Sequence, residues 1–124
     1  MSYILLVDDD EDMLSMTERW LKKDGYEVKT AISGQAALDC LGIEKPELIL
    51  LDYAMPGMDG CQTFQTIRLT EEFRDIPIIF RTGNDDEGVA GTMEQLKPDG
   101  VVPKSKGRTA LIQAVAGILQ QDPG

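Results

Sequence analysis

The chain has no histidine and only two cysteines, Cys40 and Cys61. A zinc centre is therefore not expected, because such sites draw their four ligands mainly from Cys and His. The commonest general base is missing as well. Lysine and arginine together number 12, against 22 aspartates and glutamates, for a formal net charge of -10. A surface so poor in cations disfavours direct contact with nucleic acid or with an anionic membrane. No apolar run approaches the length of a membrane-spanning helix. Met1-Ser2-Tyr3 leads straight into apolar residues, without a basic region or a small-residue cleavage site. No secretory signal is expected, and the two thiols are expected to be reduced and cytoplasmic.

What remains is a 124-residue chain, 42% hydrophobic and 27% charged, of a size that fits one domain. Short apolar runs alternate with helical patterns. Tyr3–Val7, Tyr26–Ile32, Leu48–Leu51, Ile76–Phe80 (running on to Arg81 and Thr82) and Val101–Val102 read as strands. Between them lie helices. The first has Met13, Thr17, Trp20 and Leu21 on one face and stops at Gly25. The second is capped by Ser33, with Ala37, Leu38 and Leu41 inward. The third starts near Asp59 and carries Phe64 and Ile67. A fourth, weak helix carries Val89, Met93 and Leu96 but includes Gly88 and Gly91. The fifth turns Leu111, Ile112, Val115 and Leu119 inward. Five strands alternating with five helices imply an α/β fold, a parallel sheet covered on both faces. In such sheets ligands sit beyond the carboxyl ends of the strands.

Those ends carry a coherent set of groups. Asp8 and Asp9 follow the first strand, Asp52 the third, Thr82 the fourth and Lys104 the fifth. Three carboxylates brought together must take up protons or bind a cation. An all-oxygen site suits Mg²⁺ or a similar hard ion such as Mn²⁺. A carboxylate can also act as a nucleophile toward phosphorus, while a lysine and a hydroxyl can hold phosphoryl oxygens. Singly, each residue has a plainer role: Asp10 is best read as a helix cap, Asp52 alone as a loop acid, and Thr82 or Lys104 alone as surface residues. Their weight comes from the set. Asp8, Asp10 and Asp12 mimic the start of an EF-hand loop, but Met13 and Arg19 stand where that loop needs Gly and Glu.

At these residues the chain resembles the receiver domain of two-component response regulators, over essentially its whole length. Ile4-Leu5-Leu6-Val7-Asp8-Asp9-Asp10 is similar to the family's first strand and acidic pair. Asp52-Tyr53-Ala54-Met55-Pro56-Gly57-Met58-Asp59-Gly60 is similar to its phosphoacceptor loop. Ile76-Pro77-Ile78-Ile79 leading to Thr82, and Gly100 through Lys104, fit as well. The resemblance implies one receiver domain over residues 1–124, with a flavodoxin-like (βα)5 sandwich of strand order 2-1-3-4-5. It implies that Asp52 accepts a phosphoryl group from a histidine kinase or a histidine phosphotransfer protein. It implies that Asp9, Asp52 and the backbone carbonyl of Ala54 hold Mg²⁺, with Asp8 acting through water, and that Thr82 and Lys104 bind the phosphoryl oxygens. The output face would be the fourth helix, fifth strand and fifth helix. That face often forms dimers in the family, so a homodimer on phosphorylation is one expectation.

The chain departs from the family pattern in four places. Ser105 follows Lys104 where Pro is usual, and Val101 stands where a switch aromatic often lies. Arg81 replaces an apolar residue before Thr82, and two glycines loosen the fourth helix. Alternation should turn Arg81 away from Thr82, toward the output side. Arg81 and Val101 thus become candidate switch residues. Ala54 and Asn84 occupy positions that tune phosphate lifetime in the family. Two other readings compete. A phosphatase of the haloacid dehalogenase type needs a second Asp where Ala54 stands. A receiver-like scaffold that works without phosphate draws support from Val101, Pro103 and Ser105, and is opposed by the complete acidic set.

Overall fold

The computed structural model describes residues 3–55, 59–83 and 89–119. Pro56, Gly57, Met58, Asn84 and Gly88, which entered the sequence reading, lie outside them. In chain order the elements are β1 (Ile4–Val7), α1 (Glu11–Lys23), β2 (Val28–Ala31), α2 (Gly34–Ile43), β3 (Leu48–Asp52), α3 (Gly60–Leu69), β4 (Ile78–Thr82), α4 (Val89–Leu96), β5 (Gly100–Pro103) and α5 (Gly107–Leu119). A single 3-10 turn, Lys104–Lys106, separates β5 from α5. The sheet is parallel, in the order β2-β1-β3-β4-β5, which is the expected flavodoxin-like arrangement.

The strands in the middle of the sheet show no polar alternation because helices cover both faces. All residues of β1, β3 and β4 are buried. Their side chains divide by parity into two cores. Leu5, Val7, Ile49, Leu51, Ile78 and Phe80 join residues of α2 and α3 on one face. Ile4, Leu6, Leu48, Leu50, Ile79 and Val102 join residues of α1 and α5 on the other. The outer strands are less enclosed. In β2, Lys29 and Thr30 are exposed, and in β5 only Val102 is buried.

Helix starts follow local chemistry. The Asp10 side chain accepts from the backbone N–H groups of Asp12 and Met13 at 3.0 and 3.2 Å, and so caps α1 as expected. Ser33 Oγ accepts from Ala36 N–H at 3.0 Å. Asp59 and Gln62 form a reciprocal capping box on α3. Gly25 takes φ +96° just past α1, a conformation that suits glycine. The buried stripe of α1 differs from the expected one. It is Leu14, Thr17 and Leu21, while Met13 and Trp20 are half-buried at its rim. The sheet selects Leu14 over Met13 because the i, i+3, i+7 spacing from Leu14 reaches Leu21 on a single face. Among the described residues, no helix is long and apolar enough to cross a membrane.

Candidate functional site

Four strand ends converge at the carboxyl edge of the sheet. Asp8 continues the β1 ladder, its N–H donating to Ala31 O at 3.1 Å. Its Oδ1 accepts from Asp10 N–H at 2.9 Å, so the first acid is oriented by the turn that begins α1. Asp52 is the last residue of β3, in register with Arg81 of β4. Asp8 and Asp52 are buried, whereas Asp9 is exposed. One carboxylate oxygen from each of Asp8, Asp9 and Asp52 lies within 4.8 Å of the others. Lys104 reaches in from the 3-10 turn after β5. Its Nζ stands 3.0 Å from Asp8 Oδ2 and 3.2 Å from Asp52 Oδ1.

Parity explains why these groups meet. Asp8, Asp52, Arg81 and Lys104 each lie two residues past a member of the core on the α1 and α5 face, namely Leu6, Leu50, Ile79 and Val102. Side chains two apart on a strand share a face. The site is therefore the polar end of that apolar layer. Thr82 follows Phe80 on the opposite parity and is buried at the end of β4.

Burial and charge set the protonation of the cluster. Burial, reinforced by the neighbouring Asp8 carboxylate, raises the Asp52 pKa to about 7, against the opposing pull of Lys104. Burial alone would lower the Lys104 pKa, but its hydrogen bonds and charge pairing with Asp8 and Asp52 outweigh that and raise it. Arg81 is the second cation. Burial lowers its pKa, while the negative charges of Asp8 and Asp52 act to raise it. A guanidinium stays charged even so.

Arg81 does not project to the surface. It is 3% exposed, and its Nε–H donates to Val102 O at 3.0 Å. It shares a face with the two buried carboxylates. Val101, the other candidate switch residue, is 38% exposed on β5. Ala54 is exposed just beyond Asp52, where Tyr53, Ala54, Met55, Asp59 and Cys61 line a cavity of about 430 Å³. Gly60 has a role that its Asp-Gly setting did not reveal. A Cβ there would collide with the backbone oxygen of Asp52 and lie 2.8 Å from Tyr53 O and 2.9 Å from Tyr53 Cα. Gly60 N–H also donates to Tyr53 O at 3.1 Å. The first turn of α3 is thus pressed against the backbone that carries Asp52.

Three carboxylates with a raised pKa at Asp52 fit a hard divalent cation. The donors are all oxygen, closely spaced, and under mutual repulsion that a cation would relieve. The same arrangement leaves a lysine beside the central carboxylate, placed to pair with added negative charge.

The sequence matches the response regulator receiver domain family over residues 4–116. It is 38% identical over 118 residues to the transcriptional regulatory protein AfsQ1 of Streptomyces coelicolor. That alignment covers 93% of this chain and 51% of the relative, so the chain spans about half the length of that curated protein. The fold is similar to that of the chemotaxis protein CheY4 of Vibrio cholerae, with a TM-score of 0.86 and 24% identity over 95% of this chain and 98% of that one. It is also similar to the receiver domain of NtrX from Brucella abortus, with a TM-score of 0.86 and 23% identity over 96% and 99% of the two chains.

Proposed function

This chain belongs to the response regulator receiver domain family, and from that premise we propose that it is a signalling switch whose phosphoacceptor is Asp52. The observation that carries this reading is the placement of Asp52, buried at the end of β3 beside Asp8, with Lys104 in contact with both carboxylates. In the proposed reaction an Asp52 carboxylate oxygen attacks the phosphorus of a phosphohistidine on a histidine kinase or phosphotransfer protein. The P–N bond breaks, an acyl phosphate forms, and the imidazole leaves with the bonding pair and takes up a proton. Asp8, Asp9, Asp52 and the Ala54 carbonyl would hold Mg²⁺ or Mn²⁺, which when bound neutralises charge on the phosphoryl oxygens.

The residues of the chain then have distinct tasks. Lys104, already 3.2 Å from Asp52 Oδ1, pairs with a phosphoryl oxygen once the transfer is made. The Thr82 hydroxyl donates to another. Asp8 keeps Lys104 aimed at the site through its own contact at 3.0 Å. Readout passes through α4, β5 and α5 to a downstream protein, with a dimer of this chain as one form of that output. A regulatory acceptor of this kind turns over its own phosphate but has no separate substrate. Location in the cytoplasm, where histidine kinases present their phosphoryl groups, belongs to the same reading.

The test is intact-protein mass after incubation with acetyl phosphate. One added phosphoryl group on the wild type, dependent on Mg²⁺ and absent from Asp52→Asn, is the expected result. An equal adduct on Asp52→Asn would remove Asp52 from the role. No adduct on the wild type, with no beryllofluoride complex either, would favour a phosphate-independent scaffold.

A further inference from the structure

Arg81 combines three features that a merely structural arginine does not need. It is buried to 97% on the inner face of β4, where its neighbours along the layer are Ile79 and Val102. Its register partners are Asp52 on one side and Val102 on the other, so it links the acidic cluster to the edge strand β5. And its Nη2 is buried with no hydrogen-bond partner among the described residues. An unpaired buried donor is costly, and more so on a charged group. An apolar side chain at this position would avoid that cost. The guanidinium is nonetheless held there, sustained by the charges of Asp8 and Asp52 and anchored by one bond to the Val102 carbonyl.

We propose that Arg81 is a positioning residue that couples the charge on Asp52 to the placement of β5, holding the Val102 carbonyl while Asp52 is unmodified and releasing it when Asp52 carries a phosphoryl group. This rests on the reading of Asp52 as phosphoacceptor. A phosphoryl group adds negative charge and new acceptor oxygens on the face that Arg81 shares with Asp52. Guanidinium forks favour phosphoryl oxygens, to which they can donate in pairs. The unpaired Nη2 then finds an acceptor, and the side chain swings from Val102 toward Asp52. Val102 loses its anchor beside Val101, which is already half-open to solvent on β5. The helix α4, whose Met93 and Leu96 pack on the opposite face of the sheet, has no buried residue among those described, so it can follow a change in β5.

The experiment compares amide hydrogen exchange in β5 and α4 with and without beryllofluoride and Mg²⁺. It uses wild type, Arg81→Leu and Arg81→Lys, with fluorine NMR on the same samples reporting how much of each protein is loaded. Responses are compared per loaded molecule. Wild type is expected to lose protection about tenfold at Val102 and its neighbours on loading. Arg81→Leu is expected to show the looser β5 in both states, changing less than twofold. Arg81→Lys, which keeps the charge but not the fork, is expected to behave like Arg81→Leu. A loaded Arg81→Leu that reproduces the wild-type change would overturn the proposal while leaving Asp52 as acceptor. A wild type that never loads would overturn the acceptor reading first and this coupling with it. A second readout needs no variant. The Arg81 Nε–H resonance must shift on loading, and an unchanged Nε–H would equally overturn the proposal.

Discussion

The strands β3 and β5 both deliver a residue to the same site, yet the protein holds them very differently. All five residues of β3 are buried, and the strand lies between β1 and β4. β5 is an edge strand with one buried residue. The helices repeat the contrast. α1 runs for 13 residues, with a side-chain cap and three buried side chains. α4 runs for eight, and none of its described residues is buried. Stability in a fold is distributed unevenly, and elements with few buried contacts open most easily. The Asp52 carboxylate thus sits on the fixed half of the molecule. The lysine that contacts it arrives from the movable half.

The sharpest test of the fixed half is its electrostatics. Asp52 has a folded-state pKa of about 7, above the ordinary value near 4 for an unfolded chain. The folded protein therefore binds more protons than the unfolded one between those values, and stability falls as pH rises from about 4 to about 7. A shift of this size corresponds to on the order of 4 kcal/mol. Without divalent cation, Asp52→Asn should melt above wild type by on the order of 10 °C at pH 8, with the gap closing toward pH 4. A gap independent of pH would mean that Asp52 is ionised throughout and that Lys104 and Arg81 fully compensate it. Lys104 acts in the opposite sense. Its raised pKa contributes stability that is complete at neutral pH and is lost only in strong alkali.

Gly60→Ala should come next in size. The methyl would meet the backbone of Asp52 and Tyr53, which cannot rotate away. A loss of about 2–3 kcal/mol is expected from the forced shift, read by urea unfolding, together with slower phosphoryl uptake. Normal uptake with lowered stability would show that the shift is absorbed by α3 and not by Asp52. The smallest effect belongs to the movable half. Gly91 is exposed within α4, and nothing lies within 4 Å of where its Cβ would be. Gly91→Ala should add about 1 kcal/mol to the helix. It should slow amide exchange in α4 and leave β3 unchanged, which would sharpen the division between the halves.

Much of this was legible in the sequence because strand ends announce themselves. Asp8, Asp9, Asp52, Thr82 and Lys104 each follow an apolar run, and a parallel sheet must gather such positions at one edge. The structure does place Lys104 against Asp8 and Asp52. Arg81 was harder to read. An arginine near a strand end looks like a surface residue, and alternation shows which way it points but not whether it is buried. Its burial depends on Val102 offering a carbonyl from another strand, a contact across 21 residues of chain. The start of the buried stripe on α1, Leu14 and not Met13, depends likewise on how the helix lies on the sheet. Gly60 reads from sequence as a loop breaker and the end of the Asp52–Gly60 motif, which does not disclose what it packs against. Only the folded chain shows the backbone that its missing side chain makes room for.

That meeting of Gly60 with Asp52 and Tyr53 has a consequence for how the molecule can diversify. The chain leaves β3 at Asp52 and is drawn back to the same spot eight residues later, closed at the neck by the bond from Gly60 to Tyr53. The two ends of the connection are thereby tied to each other. Lengthening such a loop is inexpensive, about 0.6 kcal/mol for each doubling. Its length can therefore vary without parting Asp52 from the start of α3.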